Sequence, residues 1–207
     1  MLDVDSTLTG IEGIDWLAAR RGPAVAEASN ALTARAMAGE IPIEQIYAER
    51  MEQVRPTAAD LVALAAAYQE AAAPGARDTV GRFLAAGIVV HAVSGGIREA
   101  ILPFARWLGL GPTQVHAVRL RTDDRGGYAG WDESSPLATS AGKPVVVRAL
   151  ALPGPLLVVG DGVTDLALRS VGATFAAFTG FVRRESVIRG ADHVIATFDE
   201  LRSLVLP

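Results

Sequence analysis

Leu156-Leu157-Val158-Val159-Gly160-Asp161-Gly162-Val163-Thr164-Asp165 decides the fold. A short apolar run ends in an acid held between two glycines, and a second acid follows where a helix begins. An unbroken apolar run closed by glycine is the pattern of a strand buried on both faces of a parallel sheet. An acid just past its end sits at the carboxyl edge, where open α/β sheets display their working groups. The chain opens in the same way, with Met1-Leu2 leading into Asp3-Val4-Asp5-Ser6-Thr7, and Ile88-Val89-Val90-His91-Ala92-Val93 leads into Ser94-Gly95-Gly96. If the first and last of these edges meet, Asp3, Asp5, Asp161 and Asp165 converge. Such a cluster is costly unless a divalent cation sits among the carboxylates. An all-oxygen donor set suits Mg²⁺, a hard cation that works with phosphates.

Working outward, Ala173–Phe178 and His193–Ile195 read as further strands. Helical periodicity covers Ile97–Leu108, Pro144–Leu152, Asp165–Val171 and Phe198–Val205. Strands alternating with helices predict a doubly wound, Rossmann-like parallel sheet. The interval from Ile11 to Ala73 differs: it is rich in Ala, Leu, Glu and Arg, is broken at Gly22-Pro23, Gly39, Pro42 and Pro56, and has no β-branched run. Three or four amphipathic helices are expected there, inserted after the first strand. Pro74-Gly75 returns the chain to the sheet. The expected organisation is an α/β core over residues 1–10 and 75–207 with a small helical-bundle cap over 11–74, above the sheet's carboxyl edge. Val115–Leu120 and Tyr128–Trp131, joined by Asp123-Asp124-Arg125-Gly126-Gly127, are expected to form a projecting β-hairpin.

The 207 residues suffice for a sizeable core, and half of them are apolar. A net charge of −4 carries no basic footprint, so nucleic acid is not an expected partner. No apolar run approaches the length of a membrane span, and no membrane association is expected. The absence of cysteine excludes disulfides, thiolate metal ligands and a cysteine nucleophile. With no signal-peptide pattern at the amino terminus, a cytoplasmic protein is the expectation. Composition leaves the oligomeric state open.

Asp3 and Asp5 lie two residues apart, so an extended backbone turns both side chains to one side. Phosphoryl transfer through a carboxylate needs one group to attack phosphorus and a second to move protons. Alone, Asp-x-Asp-x-Thr reads better as an Asx turn or a helix cap, and only the other segments reverse that reading. Asp161 reads as a ligand, and Asp165 as a helix cap, a metal support or both. Ser94-Gly95-Gly96 offers a hydroxyl and free N–H groups before a helix, though a plain tight turn has the same composition. Lys143 precedes Pro144, which suits a helix's first turn; a lysine there could reach a phosphate, though alone it reads as a solvated surface residue. The three histidines form no ligand cluster in sequence, and His91 reads as a core residue.

In this order, Asp3-x-Asp5-x-Thr7, Ser94, Lys143 and Gly160-Asp161-Gly162 with Asp165 resemble the haloacid-dehalogenase-like (HAD) phosphohydrolases. Within that superfamily the chain resembles the phosphoserine phosphatase family over nearly its whole length. Supporting details are Thr9-Gly10-Ile11-Glu12, Met37-Ala38-Gly39, Ile43-Glu44-Gln45, Arg50 and Arg184-Glu185-Ser186. The resemblance implies that Asp3 is the nucleophile, forming an aspartyl-phosphate, and that Asp5 is the general acid and then base. It implies Mg²⁺ held by the Asp3 carboxylate, the Asp5 backbone carbonyl and Asp161, with Asp165 in support. Ser94, the Gly95 N–H and Lys143 would hold phosphate oxygens. Glu12 would receive the substrate ammonium and Arg50 its carboxylate, and Thr164 would line the substrate site. The bottom-up chemistry agrees, because a zwitterion needs one anion and one cation.

Three positions depart from the family pattern. Ile43 stands where an aromatic residue is common, Thr164 where Asn is frequent, and only Met1-Leu2 precede the nucleophile. So short a central strand is expected to lose ladder bonds and packing beside Asp3, and four to six apolar residues added before Met1 are expected to raise stability. The leading expectation is a phosphomonoesterase acting on O-phospho-L-serine. The alternatives are a phosphatase or phosphotransferase for phosphothreonine, phosphohomoserine or another small phosphomonoester, and a non-catalytic phosphatase-like module.

Overall fold

The structure, a computed structural model, describes residues 1–206. Its helices are α1 (Gly13–Ala19), α2 (Pro23–Ala38), α3 (Tyr47–Val54), α4 (Ala58–Glu70), α5 (Ala76–Ala85), α6 (Arg98–Trp107), α7 (Gly142–Leu150), α8 (Val163–Leu166), α9 (Glu185–Ile188) and α10 (Phe198–Val205). The strands are β1 (Ala92–Ile97), β2 (Val115–Val118), β3 (Leu120–Thr122), β4 (Tyr128–Trp131), β5 (Leu157–Gly160), β6 (Thr174–Phe178) and β7 (His193–Ile195).

β1 and β2 pair in parallel, as do β5, β6 and β7. The opening segment joins the halves: Leu2 makes parallel bridges to Ala92 on one side and Val159 on the other. The Leu2 N–H donates to the His91 carbonyl and the Val93 N–H to the Leu2 carbonyl, while the Asp3 N–H reaches Val159 and the Val159 N–H reaches Met1. The spatial order is therefore β2, β1, Met1–Leu2, β5, β6, β7. Counted along the chain this is 3-2-1-4-5-6, the doubly wound order whose switch point lies between the opening segment and β5. The segments carrying Asp3 and Asp161 are thus neighbours at the place where such folds bind ligands.

The segment from Ile11 to Ala73 forms α1 to α4, and the punctuation residues act as expected. Pro23 opens α2, left-handed Gly39 closes it, and Pro56 precedes α4. At the start of α4, Thr57 and Asp60 form a reciprocal capping box. These helices lie against both the core and the hairpin: α4 packs on α6, the Tyr47 ring lies 4.8 Å from Trp131, and the Ala58 N–H donates to the Gly126 carbonyl. Among the described residues, no helix is long and apolar enough to cross a membrane.

Two sequence expectations change in detail. β1 begins at Ala92, and its register against β2 slips between Val93 and Ile97, so Ser94-Gly95-Gly96 forms a bulge within the strand instead of a turn after it. Ile88–Val90 stays outside the sheet, with Val89 64% exposed, because the opening segment pairs only from His91 onward. The hairpin is also shorter: Leu120–Thr122 pairs with Tyr128–Trp131, while Val115–Val118 joins the main sheet. Val115, Ala117 and Val118 are all buried, which is the two-sided burial of a parallel strand.

Candidate active site

A pocket opens between the sheet's carboxyl edge and helices α2 and α3. It is lined by Asp3, Asp5, Glu12, Arg50, Ser94, Gly95, Lys143, Asp161 and Thr164. These come from the chain start, the residue before α1, α3, the β1 bulge, the start of α7, the turn after β5 and α8. Asp165 does not line the pocket; it is buried behind it, where its Oδ2 accepts from the Gly162 N–H and caps α8. Both roles left open for Asp165 in the sequence therefore remain available to one side chain.

Close backbone approach aims these groups. A Cβ on Gly160 would lie 2.1 Å from Asp165 Cγ, and one on Gly142 would lie 1.7 Å from the Pro136 carbonyl. Without a side chain at either position, the Asp165 carboxylate fits under β5 and Lys143 enters from the first turn of α7. Ser6 takes a left-handed conformation, φ 53°, and its Oγ donates to Glu12 Oε1 at 2.7 Å. The turn after Asp5 thereby fixes Glu12 at the pocket wall. Ser94 Oγ accepts from the Gly96 N–H at 2.9 Å, which holds the bulge open.

Charge is arranged unevenly. Lys143 Nζ lies 2.7 Å from both Asp3 Oδ1 and Asp165 Oδ1, and Arg184, just before α9, pairs with Asp161. Arg50 pairs with Asp15 at 2.6 Å. Asp3, Asp5, Glu12, Asp161 and Asp165 thus share Lys143 and Arg184 as their neighbouring cations, which leaves an excess of negative charge. Burial, then the charges of Glu12 and Asp3, push the Asp5 carboxyl well above its usual range. Burial, with Asp3 and Asp15 nearby, also pushes Glu12 up, against the hydrogen bond from Ser6. Asp165 rises to about 7, chiefly through burial and the Asp3 charge. The two carboxylates on Lys143 outweigh its burial and keep it firmly protonated.

Oxygens of Asp3, Asp161 and Asp165 all lie within 4.8 Å of one another. A buried, all-carboxylate set with surplus negative charge fits a hard divalent cation and could hold one. His91 and His116 meet through ring nitrogens 3.0 Å apart, but neither lines this pocket.

Tertiary structure adds four residues that local sequence does not single out. Tyr68 of α4 is fully buried with its hydroxyl against Gly13, next to Asp5. Asp15 and Ser29 bracket Arg50, and Thr33 of α2 lines the pocket with its hydroxyl unpartnered. All four are small polar or aromatic residues on apolar helix faces, where sequence alone reads them as packing. Arg184 stood in the sequence only as part of a family-like triplet, with nothing to link it to Asp161.

Residues 1–169 match the family model described as haloacid dehalogenase-like hydrolase. A human protein named phosphoserine phosphatase is 35% identical over 202 residues, covering 96% of this chain and 89% of the human one. An Arabidopsis thaliana protein, phosphoserine phosphatase, chloroplastic, is also 35% identical, over 96% of this chain and 68% of its own length. Among solved structures, a phosphoserine phosphohydrolase-like protein from Francisella tularensis superposes with a TM-score of 0.90 at 26% identity, covering 99% of this chain and 98% of that one. A structure described as a phospho-aspartyl intermediate analogue of phosphoserine phosphatase superposes with a TM-score of 0.81 at 26% identity, covering 99% and 97%. With the four ordered motifs gathered at one switch point, these likenesses make the chain a member of the haloacid dehalogenase-like hydrolases, in their phosphoserine phosphatase family, and a phosphoric monoester hydrolase.

Proposed function

We propose that this enzyme hydrolyses O-phospho-L-serine to L-serine and phosphate through an aspartyl-phosphate on Asp3. The observation that carries the reading is one pocket holding Asp3, Lys143 and Ser94 at its floor with Glu12 and Arg50 on its walls. The floor suits a phosphate, and the walls offer one anion and one cation to an amino acid's ammonium and carboxylate. Relatives named phosphoserine phosphatase at 35% identity support the same substrate.

In the proposed sequence, an Asp3 carboxylate oxygen forms a bond to phosphorus as the bond from phosphorus to the serine oxygen breaks. Asp5, as the acid, gives its proton to the departing serine oxygen, so L-serine leaves neutral at that atom. Asp5, now a carboxylate, takes a proton from water as the water oxygen attacks phosphorus. The bond between Asp3 and phosphorus breaks, phosphate leaves, and both carboxyl groups return to their starting states. Lys143, the Ser94 hydroxyl and the Gly95 N–H hold the phosphoryl oxygens as charge moves through them. Asp3, Asp161, Asp165 and the Asp5 carbonyl would hold Mg²⁺, which when bound neutralises phosphate charge. Thr164 lines the same pocket and is the remaining candidate contact for the substrate. The proposed division of the chain is a core of residues 1–10 and 75–207 and a cap of residues 11–74 that covers the substrate.

Phosphate release from O-phospho-L-serine tests the reading, measured with Mg²⁺, with a chelator and with Asp3→Asn. Release that needs the metal and falls at least about 10³-fold in the variant is expected. Equal rates on sugar phosphates would overturn the substrate, and activity in Asp3→Asn matching the parent would overturn the nucleophile.

A further inference from the structure

Arg50 reaches the pocket through a frame of two other side chains. It leaves α3 and passes between α1 and α2, where its Nη2 donates to Asp15 Oδ1 at 2.6 Å and its Nε donates to Ser29 Oγ at 3.3 Å. The Ser29 hydroxyl donates in turn to the same Asp15 oxygen. The three residues are 7%, 8% and 1% exposed, so water does not compete for these bonds. Arg50 lines the pocket, whereas Asp15 and Ser29 do not.

A guanidinium carries five N–H donors in one plane. Ser29 and Asp15 engage the edge formed by Nε and one N–H of Nη2. The opposite edge, formed by Nη1 and the second N–H of Nη2, stays available, and its donors have the spacing of a two-bond carboxylate grip. Fixing the inner edge also fixes the plane of the outer one. Arginine otherwise spreads over many rotamers, and that freedom would be lost on binding. Asp15 further balances a guanidinium that would otherwise be buried without a counter-ion.

We propose that Ser29 and Asp15 are positioning residues for Arg50, and that through it they set selectivity for phosphomonoesters carrying a carboxylate beside the ammonium. The inference rests on the phosphoserine reading above. A tie that only holds the helices together predicts a different pattern, because loosening it would affect every substrate alike.

The test compares O-phospho-L-serine with O-phosphoethanolamine, which keeps the phosphate and ammonium but lacks the carboxylate. Ser29→Ala is expected to raise KM for phosphoserine about three- to tenfold with kcat within about twofold, and to leave both constants for phosphoethanolamine unchanged. Asp15→Ala is expected to raise the phosphoserine KM further, and Asp15→Asn, which retains an Oδ1 acceptor, to recover part of that loss. Ser29→Ala losses that are equal on the two substrates, or absent from both, overturn the inference and leave the phosphoserine reading standing. If the parent enzyme gains nothing from the carboxylate, the substrate reading and this inference both fall, before any variant is made.

Discussion

Gly160 shows how a missing side chain can serve a reaction. Its backbone lies so close to Asp165 that a Cβ would sit 2.1 Å from the carboxylate carbon. Asp165 in turn shares Lys143 with Asp3. Gly160→Ala is therefore expected to push Asp165 aside and with it the lysine that would hold a phosphoryl oxygen. A displacement near 1 Å is expected to lower kcat about 10²-fold, with a stability loss of about 1–3 kcal/mol from overpacking. Steady-state turnover and chemical denaturation measure the two effects. Near-parent turnover in the alanine variant would mean that the position of Asp165 does not matter to the chemistry. Such a constraint is half visible in sequence: glycine beside an acid after an apolar run announces a tight strand end, but not which side chain fills the space.

The start of α4 shows what one acid can do for several elements. Asp60 accepts from the Thr57 N–H at 3.0 Å and the Thr57 hydroxyl at 2.9 Å, and from Arg21 beyond the end of α1 at 2.6 Å. Burial raises its pKa, but the hydrogen bonds from Arg21 and Thr57 outweigh this and hold the carboxyl well below its usual range. A depressed folded-state pKa means that the unfolded chain binds more protons as pH falls through the carboxylate range. The stabilisation is thus complete above the unfolded value of about 4 and is lost as pH drops further. Asp60→Asn is expected to cost about 1–3 kcal/mol at pH 7, a gap that narrows steadily below about pH 4. Denaturant midpoints of parent and variant across pH measure it, and a gap independent of pH would rule out the ionic part. The Thr57-x-x-Asp60 cap is a local pattern that the structure brings out, whereas the partner Arg21, 39 residues away, has no local signature at all.

The sheet as a whole depends on a slender seam. Met1 to Asp3 supply the backbone bonds that join β1 to β5, and the Met1 amine donates to the Leu157 carbonyl at 2.8 Å. Toward the opposite edge of the sheet, an apolar cleft continues the line of this segment between Ile88–Val90 and Pro155–Leu157. Four apolar residues added before Met1 are expected to enter that cleft, extend the ladder on both sides and cover Val89. Each 1 kcal/mol gained should raise the melting temperature by about 2–4 °C for a domain of this size. A Gly-Ser extension of equal length is the control, and equal melting temperatures for the two would count against the prediction.

The strand-end motifs, the doubly wound class and the run of inserted helices were legible because each rests on local rules: period, capping, and glycine or proline punctuation. Val115–Val118 as a sheet strand, and the pairings of Arg184 with Asp161 and of Arg50 with Asp15 and Ser29, came only from the tertiary structure. Those relations join residues distant in sequence. Hydrogen-bond partners and counter-ions are chosen by which surfaces meet, and no local periodicity records that choice.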